Sequence, residues 1–382
     1  MSQGGSLDVN EVFARTQMSG MMSINIPSDS IEHNQKAVIN TFDFVAFRKK
    51  ADQELDRKQK KKIRHDATTV DKILSVMLGK RYRRGPTKHF TTAENAYRSA
   101  LQKIVDRNEK IKLLLPSFPV KCYNPLKCNR KMPDLAELRC VTKMYQLCKE
   151  IEAVYAPGAK VVFIADGLVY APIFREPMET ALQYRQVVEE FIKLLDVSDY
   201  VEMDDMEYLK QKHLTEFNNF EKIAQLEISN IWKDEKNADL VEELLNNTRS
   251  NINLTQYERS DLRNIFFSNY SSPCPVMTKE IQLKAATSAF EYMVFLRTIN
   301  SLDLVMKCYP DGIRLTCHPK PGQIGVHMLE SSAEFNFPWN GVGVLKKNGK
   351  IVAMLEDEVR RNASYRAVHI EDDLYPFYYE EL

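Results

Sequence analysis

The sequence has no long hydrophobic run and almost no net charge. No window holds the roughly 18 consecutive apolar residues that cross a bilayer, and the segment Met1 to Asn10 lacks the basic-then-apolar order of a secretory signal. We therefore expect a cytoplasmic protein with no membrane partner. The net charge of +1 gives no bulk attraction to nucleic acid, so nucleic-acid binding would require a local patch.

Cysteine is sparse and its spacing does not suit zinc. Seven cysteines in 382 residues are an odd number, which favours free thiols in a reducing compartment. Neither Cys122 with Cys128 nor Cys140 with Cys148 has zinc-site spacing, so no metal site is predicted. The chain also lacks internal repeats, a Gly-x-Gly-x-x-Gly fingerprint and a Walker-type loop, which argues against a nucleotide as ligand.

Strands and helices alternate in the first half of the chain. The apolar run Lys110 to Leu115 predicts a buried strand, and Pro116 with Pro119 should end it. A helix capped by Asp134 and Glu137 follows, and the apolar run Ala159–Ala165 predicts a central parallel strand. With 44% hydrophobic residues to form a core, we expect an α/β fold built on a parallel sheet.

The strand–helix–strand order has a consequence for ligand binding. Such a unit forms a right-handed crossover, so both strands end at the same edge of the sheet. Ligands of open parallel sheets bind at that edge. The loop 117–124 is therefore expected near Asp166, which directly follows the second strand.

The remaining sequence suggests an arm and a cap around this sheet. We predict an N-terminal arm or tail (residues 1–66) and a main domain (residues 67–382) with a helical cap insertion (residues 205–270). The basic run Arg57 to Arg64 is interpreted as a solvated helix face, because no aromatic residues interleave to stack bases. Thr91 with Glu94 predicts a capping box. The apolar periodicity of Lys279 to Lys307 predicts one long helix or two stacked helices.

The stretch Asp311 to Met328 combines strand periodicity with reactive side chains. Arg314, Thr316 and His318 alternate with apolar residues, and a Pro/Gly turn separates them from a second alternating run. This predicts a hairpin with one polar face, which is either a chemically equipped surface or an ordinary solvated one. The Asn348-Gly349 pair predicts another hairpin and an antiparallel C-terminal sheet.

A series of short blocks occurs in a fixed order between about residues 75 and 356. The blocks are Leu115–Pro119 with Lys121 and Asn124, then Pro133–Glu137, Pro157–Ala159, Ala165–Tyr170, Ile313–Pro319 and Pro338–Asn340. Because these blocks occur in this order, the chain resembles the pyoverdine/dityrosine biosynthesis family, which are the isocyanide (isonitrile) synthases. The conjunction of blocks is far more specific than any one of them.

The resemblance implies an α/β enzyme with a Rossmann-like sheet that acts on two small molecules. It would join the α-amine of an aromatic amino acid, tyrosine or tryptophan, to a carbon of ribulose 5-phosphate, and the amine would become an isonitrile. Neither a metal nor a redox cofactor is implied. A downstream oxygenase in the same pathway is the expected partner.

This chemistry needs an acid and a base with pKa values near neutrality. His318 is the natural candidate. Lys121 could act as acid or base if partial burial lowers its pKa, or it could hold the sugar phosphate, and Asp166 could bind the ammonium or the sugar hydroxyls. Residues expected to bind the substrates by charge or hydrogen bonds are Arg314, Asn124, Ser117, Thr316, Lys320, Arg84 and Asn340.

Each of these residues also has an ordinary structural interpretation, and the chain departs from the family pattern at two positions. Where relatives commonly have serine and histidine, this chain has Cys122 and Asn340, and asparagine cannot transfer a proton as imidazole can. The alternative is therefore a catalytically altered binding or regulatory protein of the same fold that binds a sugar phosphate or amino acid. Cys122 and Cys317 are interpreted either as reactive thiols or as buried packing residues.

Overall fold

The computed structural model describes most of the chain: residues 42–58, 67–122, 127–128, 130–249, 279–331, 337–370 and 375–382. Several sequence predictions lie outside these residues. They concern most of the N-terminal arm, the basic residues after Lys58, Asn124, and the part of the cap after Arg249.

A parallel sheet forms the centre of the described structure. Its strands are β1 (Ile111–Ser117), β2 (Ala159–Ala165), β3 (Val201–Asp205), β4 (Ile313–Thr316) and β5 (Ile324–Gly325), in the order β3-β2-β1-β4-β5. Every neighbouring pair is parallel. The predicted α/β, Rossmann-like class is confirmed.

The described part of the chain also contains thirteen α-helices. They are α1 (Phe44–Lys58), α2 (Thr69–Met77), α3 (Thr87–Thr91), α4 (Glu94–Asp106), α5 (Leu135–Glu152), α6 (Gly167–Ile173), α7 (Met178–Leu194), α8 (Met206–Lys212), α9 (Leu214–Lys233), α10 (Ala238–Arg249), α11 (Lys279–Ser301), α12 (Leu304–Cys308) and α13 (Glu356–Arg360). Short 3-10 turns occupy Glu235–Asn237 and Pro338–Asn340. In the described part of the chain, no helix is both long and apolar enough to cross a bilayer.

Alternating side chains of β1 and β2 build a separate core on each face of the sheet. Leu113 and Val161 pack with α5 and α7, whereas Leu114 and Val162 pack with α6, α11 and α12. Strands buried on both faces consist of near-continuous apolar runs. This explains why the sequence located β1 and β2 well.

Local signals were right at one helix start and wrong at another. Asp134 and Glu137 form the predicted capping box at α5. The predicted box at Thr91 is wrong: Ala93 precedes α4, and Thr91 ends α3 with its hydroxyl donating to the Lys88 carbonyl.

The prediction that Pro116 ends β1 is also wrong, because the strand continues through it. Pro116 lies beyond Leu114, where pairing with β4 ends. Its missing N–H is therefore tolerated.

The polar stretch at 311–328 is not a hairpin. β4 and β5 run parallel, and Val326 donates its N–H to the Thr316 carbonyl. The antiparallel neighbour of β5 comes from elsewhere, since Arg83 bridges Val326 and the Arg84 N–H bonds the Gly325 carbonyl at 2.9 Å. A distant segment thus pairs with the outer edge of β5, the edge that does not face β4.

A second, mixed sheet lies C-terminal to the first. It contains β6 (Glu330–Ser331), β7 (Val342–Leu345), β8 (Ile351–Met354), β9 (Tyr365–Val368) and β10 (Tyr378–Glu381). β7 and β8 form the antiparallel hairpin predicted at Asn348-Gly349, with Gly349 at φ 77°. The expectation of a purely antiparallel sheet is wrong, because β10 with β7 and β6 with β8 are parallel.

Helices α9, α10 and α11 pack around a separate apolar cluster that includes Ala224, Ile228, Leu245 and Phe290. Helices α8, α9 and α10 lie in the part of the predicted helical cap that the structure describes, which ends at Arg249. α11 is one long helix, and Asp303 at φ 47° separates it from α12.

Candidate active site

Three neighbouring strands, β2, β1 and β4, end at one edge of the parallel sheet. Ser117 at the end of β1 is paired with Ala165 at the end of β2. Asp166 follows β2 directly, and His318 lies two residues beyond β4. The shared carboxyl edge predicted from the strand–helix–strand order is therefore present, and open parallel sheets bind their ligands there.

The carboxyl group of Asp166 is buried at this edge. The residue is 8% exposed, and among the described residues its Oδ1 has no hydrogen-bond partner. Burial, with the negative charge of Asp205 at the end of β3, raises the pKa of Asp166 well above its usual range. Leaving a buried polar atom unpaired costs about 1–3 kcal/mol. A ligand that donates a hydrogen bond to Oδ1 would remove that cost.

Gly167 fixes Asp166 against the loop that follows β1. A Cβ at this position would lie 2.1 Å from the carbonyl oxygen of Pro119, so only glycine permits the contact. In the same loop Phe118 is buried at φ 59°, a conformation that costs a non-glycine residue about 1–3 kcal/mol. Tight packing therefore holds the ends of β1 and β2 together.

His318 stands beside two positive side chains. The centre of its ring is 4.6 Å from that of Phe337, and its backbone N–H donates to the Thr316 hydroxyl. Crowding by protein atoms, together with the charges of Arg84 and Lys320, lowers the pKa of His318 to about 4. The residue is nevertheless exposed to solvent, so a ligand can reach the ring. At neutral pH the imidazole is uncharged.

Arg84 reaches this position because its backbone is hydrogen-bonded to β5. Its carbonyl approaches Gly325 so closely that a Cβ there would lie 2.4 Å away. The guanidinium stacks 4.5 Å above the Phe337 ring, and Phe337 stacks in turn on Trp339 at 5.1 Å. Trp339 contacts Phe118 at 5.8 Å. Aromatic rings thus connect the predicted anion-binding arginine to the end of β1.

Lys121 lies inside the protein, not at an accessible surface. Its ammonium is 2.7 Å from Asp134 and 3.0 Å from Glu137, and all three side chains are at most 1% exposed. Burial alone would lower the pKa of Lys121, but the two carboxylates outweigh it and raise the pKa. The lowered pKa required for acid–base work is therefore not found.

The partners of Lys121 connect several elements. Asp134 caps α5 and accepts the Gly343 N–H of β7 at 3.3 Å, whereas Glu137 accepts the Tyr184 hydroxyl of α7 at 2.8 Å. Burial raises the pKa of Glu137 to about 7, although the Lys121 charge opposes this shift. One ammonium thus faces two buried carboxyl groups.

The other predicted site residues are spread around the edge. Arg314 lies earlier in β4 and is engaged by Asp303 at 3.6 Å and by Asn300 at 3.4 Å. Ser117 is buried and donates to the Leu115 carbonyl. Thr316 accepts the His318 N–H. Half-buried Asn340 ends the 3-10 turn after Trp339, exposed Lys320 lies in the turn after His318, and Asn124 is outside the described residues.

Cys317 has the environment of a packing residue. It is 4% exposed, and its Sγ lies 3.1 Å from the sulfur of Met328. Burial raises its pKa to about 12, so the thiol stays protonated at neutral pH. Arg84 and Asp166 both act electrostatically on this thiol, which places the cationic group and the buried carboxyl near one residue.

Two tyrosines near Asp166 were not predicted as site residues. Tyr170 lies one turn along α6 from Asp166, and Tyr292 belongs to α11. The carboxyl of Asp166 acts electrostatically on both hydroxyls. The position of Tyr170 after Asp166 was a local signal, whereas Tyr292 had none.

A groove of about 200 Å³ opens at the opposite, amino edge of the sheet. Its lining includes Lys110, Lys112, Tyr309 and Asp311. This groove is remote from the edge that carries Asp166 and His318. We place the candidate site at the carboxyl edge, because the buried unpaired carboxyl and the cation–imidazole cluster both lie there.

The sequence model of the family described as pyoverdine/dityrosine biosynthesis protein matches residues 101–368. The chain belongs to this family. Similar members of known activity include the L-tyrosine isonitrile synthase of Xenorhabdus nematophila, 26% identical over 308 residues, or 78% of this chain and 88% of that protein. The L-tryptophan isonitrile synthase AmbI1 of Fischerella ambigua is 24% identical over 71% of this chain and 78% of its own length.

A solved structure confirms the fold of this pyoverdine/dityrosine family member. The crystal structure of the PvcA protein from Pseudomonas aeruginosa superposes with a TM-score of 0.63 at 20% sequence identity. The match covers 82% of this chain and 100% of that one. The two proteins therefore share their α/β architecture.

Proposed function

We propose that this protein is an isonitrile synthase that converts the α-amine of tyrosine or tryptophan into an isonitrile, with ribulose 5-phosphate as the carbon donor. Relatives of this chain are named for isonitrile synthesis from those amino acids. The observation that carries the proposal is the pairing, at one sheet edge, of a buried unpaired carboxyl with a cationic cluster. The first suits an ammonium and the second a phosphate.

The phosphate end of the site is formed by Arg84 and Lys320. Guanidinium and ammonium groups donate charge-assisted hydrogen bonds to phosphate oxygens. Both charges lower the pKa of His318. A bound phosphate dianion would offset them and raise that pKa towards neutrality, where imidazole transfers protons most effectively. His318 would thus become an efficient acid–base group when the sugar phosphate is present.

The amino acid end of the site is formed by Asp166. Its unpaired Oδ1 would accept a hydrogen bond from the substrate ammonium, and the ion pair would favour the carboxylate form of Asp166. Loss of a proton from this ammonium is required before the amine can attack the ketone of the sugar. Arg314, Ser117, Thr316 and Asn340 remain proposed contacts around these two groups.

Lys121 has a supporting role in this proposal. Its ammonium fixes the loop after β1 to α5 through Asp134 and Glu137. It would position Ser117 and Phe118 at the edge without exchanging protons with substrate. We further propose that a downstream oxygenase consumes the isonitrile product.

The test is to incubate the protein with tyrosine or tryptophan and ribulose 5-phosphate and to trap the product with a tetrazine. A tetrazine adduct is expected only when both substrates are present, and Asp166→Asn should greatly reduce it. If no proteinogenic amino acid gives an adduct, the proposal is wrong for those substrates. Thermal stabilisation by sugar phosphate without any product would instead favour the binding-protein alternative raised by Asn340.

A further inference from the structure

Phe337 is a buried ring that contacts both polar groups at the phosphate end of the site. The residue is 3% exposed. Its ring centre lies 4.5 Å from the guanidinium carbon of Arg84 and 4.6 Å from the centre of the His318 ring. Arg84 is half-buried and His318 is exposed. The two polar groups therefore face solvent, whereas the ring that both of them contact does not.

Three further rings fix the orientation of Phe337. Trp339 stacks on it at 5.1 Å, with the two ring planes only 5° apart. Trp339 contacts Phe118 at 5.8 Å, and Phe118 contacts Phe163 of β2 at 4.8 Å. Phe118 and Phe163 are at most 1% exposed, so these contacts lie in the core. A continuous row of rings thus connects Phe337 with the strand that ends beside Asp166.

An aromatic ring is well suited to hold an arginine that binds an anion. The guanidinium of Arg84 lies over the Phe337 ring, and a stacked guanidinium is held through its flat face, whereas its N–H donors lie in its own plane. A carboxylate in the place of this ring would also hold Arg84, but it would compete with a phosphate for the same donors. Stacking avoids that competition.

We propose that Phe337 is a positioning residue, which holds Arg84 and His318 at a fixed spacing so that the first can bind the sugar phosphate and the second can exchange protons with the same molecule. This assignment rests on the proposed function. Because Phe337 is buried, it would act through its two neighbours and not by touching substrate. It directly precedes the block Pro338–Asn340 and was not among the residues predicted from the sequence.

The experiment compares Phe337→Leu, which removes the ring, with Phe337→Tyr, which keeps it. Phe290→Leu is the matched control, because Phe290 is 2% exposed and contacts Trp232 at 5.8 Å in the separate cluster of α9, α10 and α11. Thermal stability and the NMR titration midpoint of His318 are measured for each variant. Calorimetry gives the affinities for ribulose 5-phosphate and for tyrosine or tryptophan.

Phe337→Leu is expected to lose at least about tenfold in affinity for ribulose 5-phosphate, because a site loses much of its function when its groups shift by about 1 Å. Its amino acid affinity should not change. The His318 midpoint should rise above about 4, since removal of the ring relieves the crowding that opposes protonation. Phe337→Tyr should keep both values, and Phe290→Leu should lose only stability.

A double variant tests whether Phe337 acts through Arg84. Arg84→Gln should weaken ribulose 5-phosphate binding on its own. Phe337→Leu/Arg84→Gln should bind little more weakly than Arg84→Gln, because the ring then has no guanidinium to position. Additive losses would mean that Phe337 acts independently of Arg84, and the assignment would be wrong.

Arg84→Lys probes the same contact without changing the core. Lysine keeps the positive charge but has no planar group to stack on the Phe337 ring, so this variant should also lose about tenfold in affinity for ribulose 5-phosphate. Full affinity in Arg84→Lys would overturn the assignment even if Phe337→Leu does not fold. A loss in Phe337→Leu that is no larger than that in Phe290→Leu would overturn it as well.

These results separate the role of Phe337 from the proposed function. If the unsubstituted protein binds ribulose 5-phosphate but forms no isonitrile, the proposed function fails, and the affinities of the variants still decide whether Phe337 positions Arg84. If the unsubstituted protein does not bind ribulose 5-phosphate, both proposals are wrong.

Discussion

Two titratable groups at the carboxyl edge owe their properties to their surroundings. Burial, with the charge of Asp205, raises the pKa of Asp166, and crowding with two cations lowers the pKa of His318, so a bound substrate charge would shift both pKa values. The sequence blocks identified Asp166 and His318 as candidates, but they could not give the pKa values of these residues. Those values depend on Arg84, Lys320 and Asp205, which reach the edge only in the folded chain.

The first prediction concerns the titration of His318. Its ordinary pKa is about 6.5. Crowding by protein atoms and, to a lesser extent, two neighbouring cations make protonation harder, so the NMR titration midpoint should be about 4. Arg84→Gln removes one of these charges and should raise the midpoint. Arg366→Gln, at an exposed pair with Glu380, is the matched control. An unchanged midpoint in Arg84→Gln would show that Arg84 does not act on the ring.

Lys121 shows why a sequence motif can identify a residue without revealing its role. The sequence places it shortly after β1, but its partners Asp134 and Glu137 belong to a helix cap that was interpreted only as a local signal. Tyr292 is harder still to identify from the sequence, because no residue near it in the chain connects it with Asp166. Contacts of this kind arise from tertiary packing, which periodicity does not encode.

At the scale of elements, the Lys121 cluster connects the loop after β1 with α5, α7 and β7. Local patterns were sufficient for β1, β2 and α5, whose apolar runs and cap are continuous in sequence. They were insufficient for β5, because alternation predicts a strand but not the direction in which it pairs. β5 runs parallel to β4, and its antiparallel partner is the distant segment around Arg83.

The second prediction concerns the free energy of unfolding. Lys121→Met leaves the carboxyl groups of Asp134 and Glu137 buried without their positive partner, which should cost about 3–5 kcal/mol. Lys160→Met is the control: its 2.8 Å pair with Glu202 is partly exposed and is worth at most about 1 kcal/mol. Urea denaturation measures both. Equal losses would mean that the cluster does not hold these elements together.

The whole molecule combines a sheet covered on both faces with a smaller helical layer. Helices α9 and α10 share one apolar cluster with α11 and expose Ile223, Leu226 and Leu240 on their outer surfaces. The sequence identified this region as helical, and the cap boundaries remain a prediction. Few buried contacts per helix imply a lower local stability than that of β1 and β2.

The third prediction follows from this difference. Amide hydrogen exchange in α10 should be at least about tenfold faster than in β1 and β2, because α10 can open without disrupting the sheet. Mass spectrometry of exchanged peptides measures this directly. Equal protection of α10 and β1 would show that the cap and the sheet unfold together.

The most direct test of the central claim is a crossed kinetic experiment, because the claim is that two substrates are held by separate groups at one edge. The double variant Arg84→Gln/Lys320→Gln should raise the KM for ribulose 5-phosphate at least about tenfold and leave the KM for the amino acid unchanged. Asp166→Asn should do the reverse. If both variants change the same KM, or neither changes either KM, the carboxyl edge is not the site at which the two substrates meet.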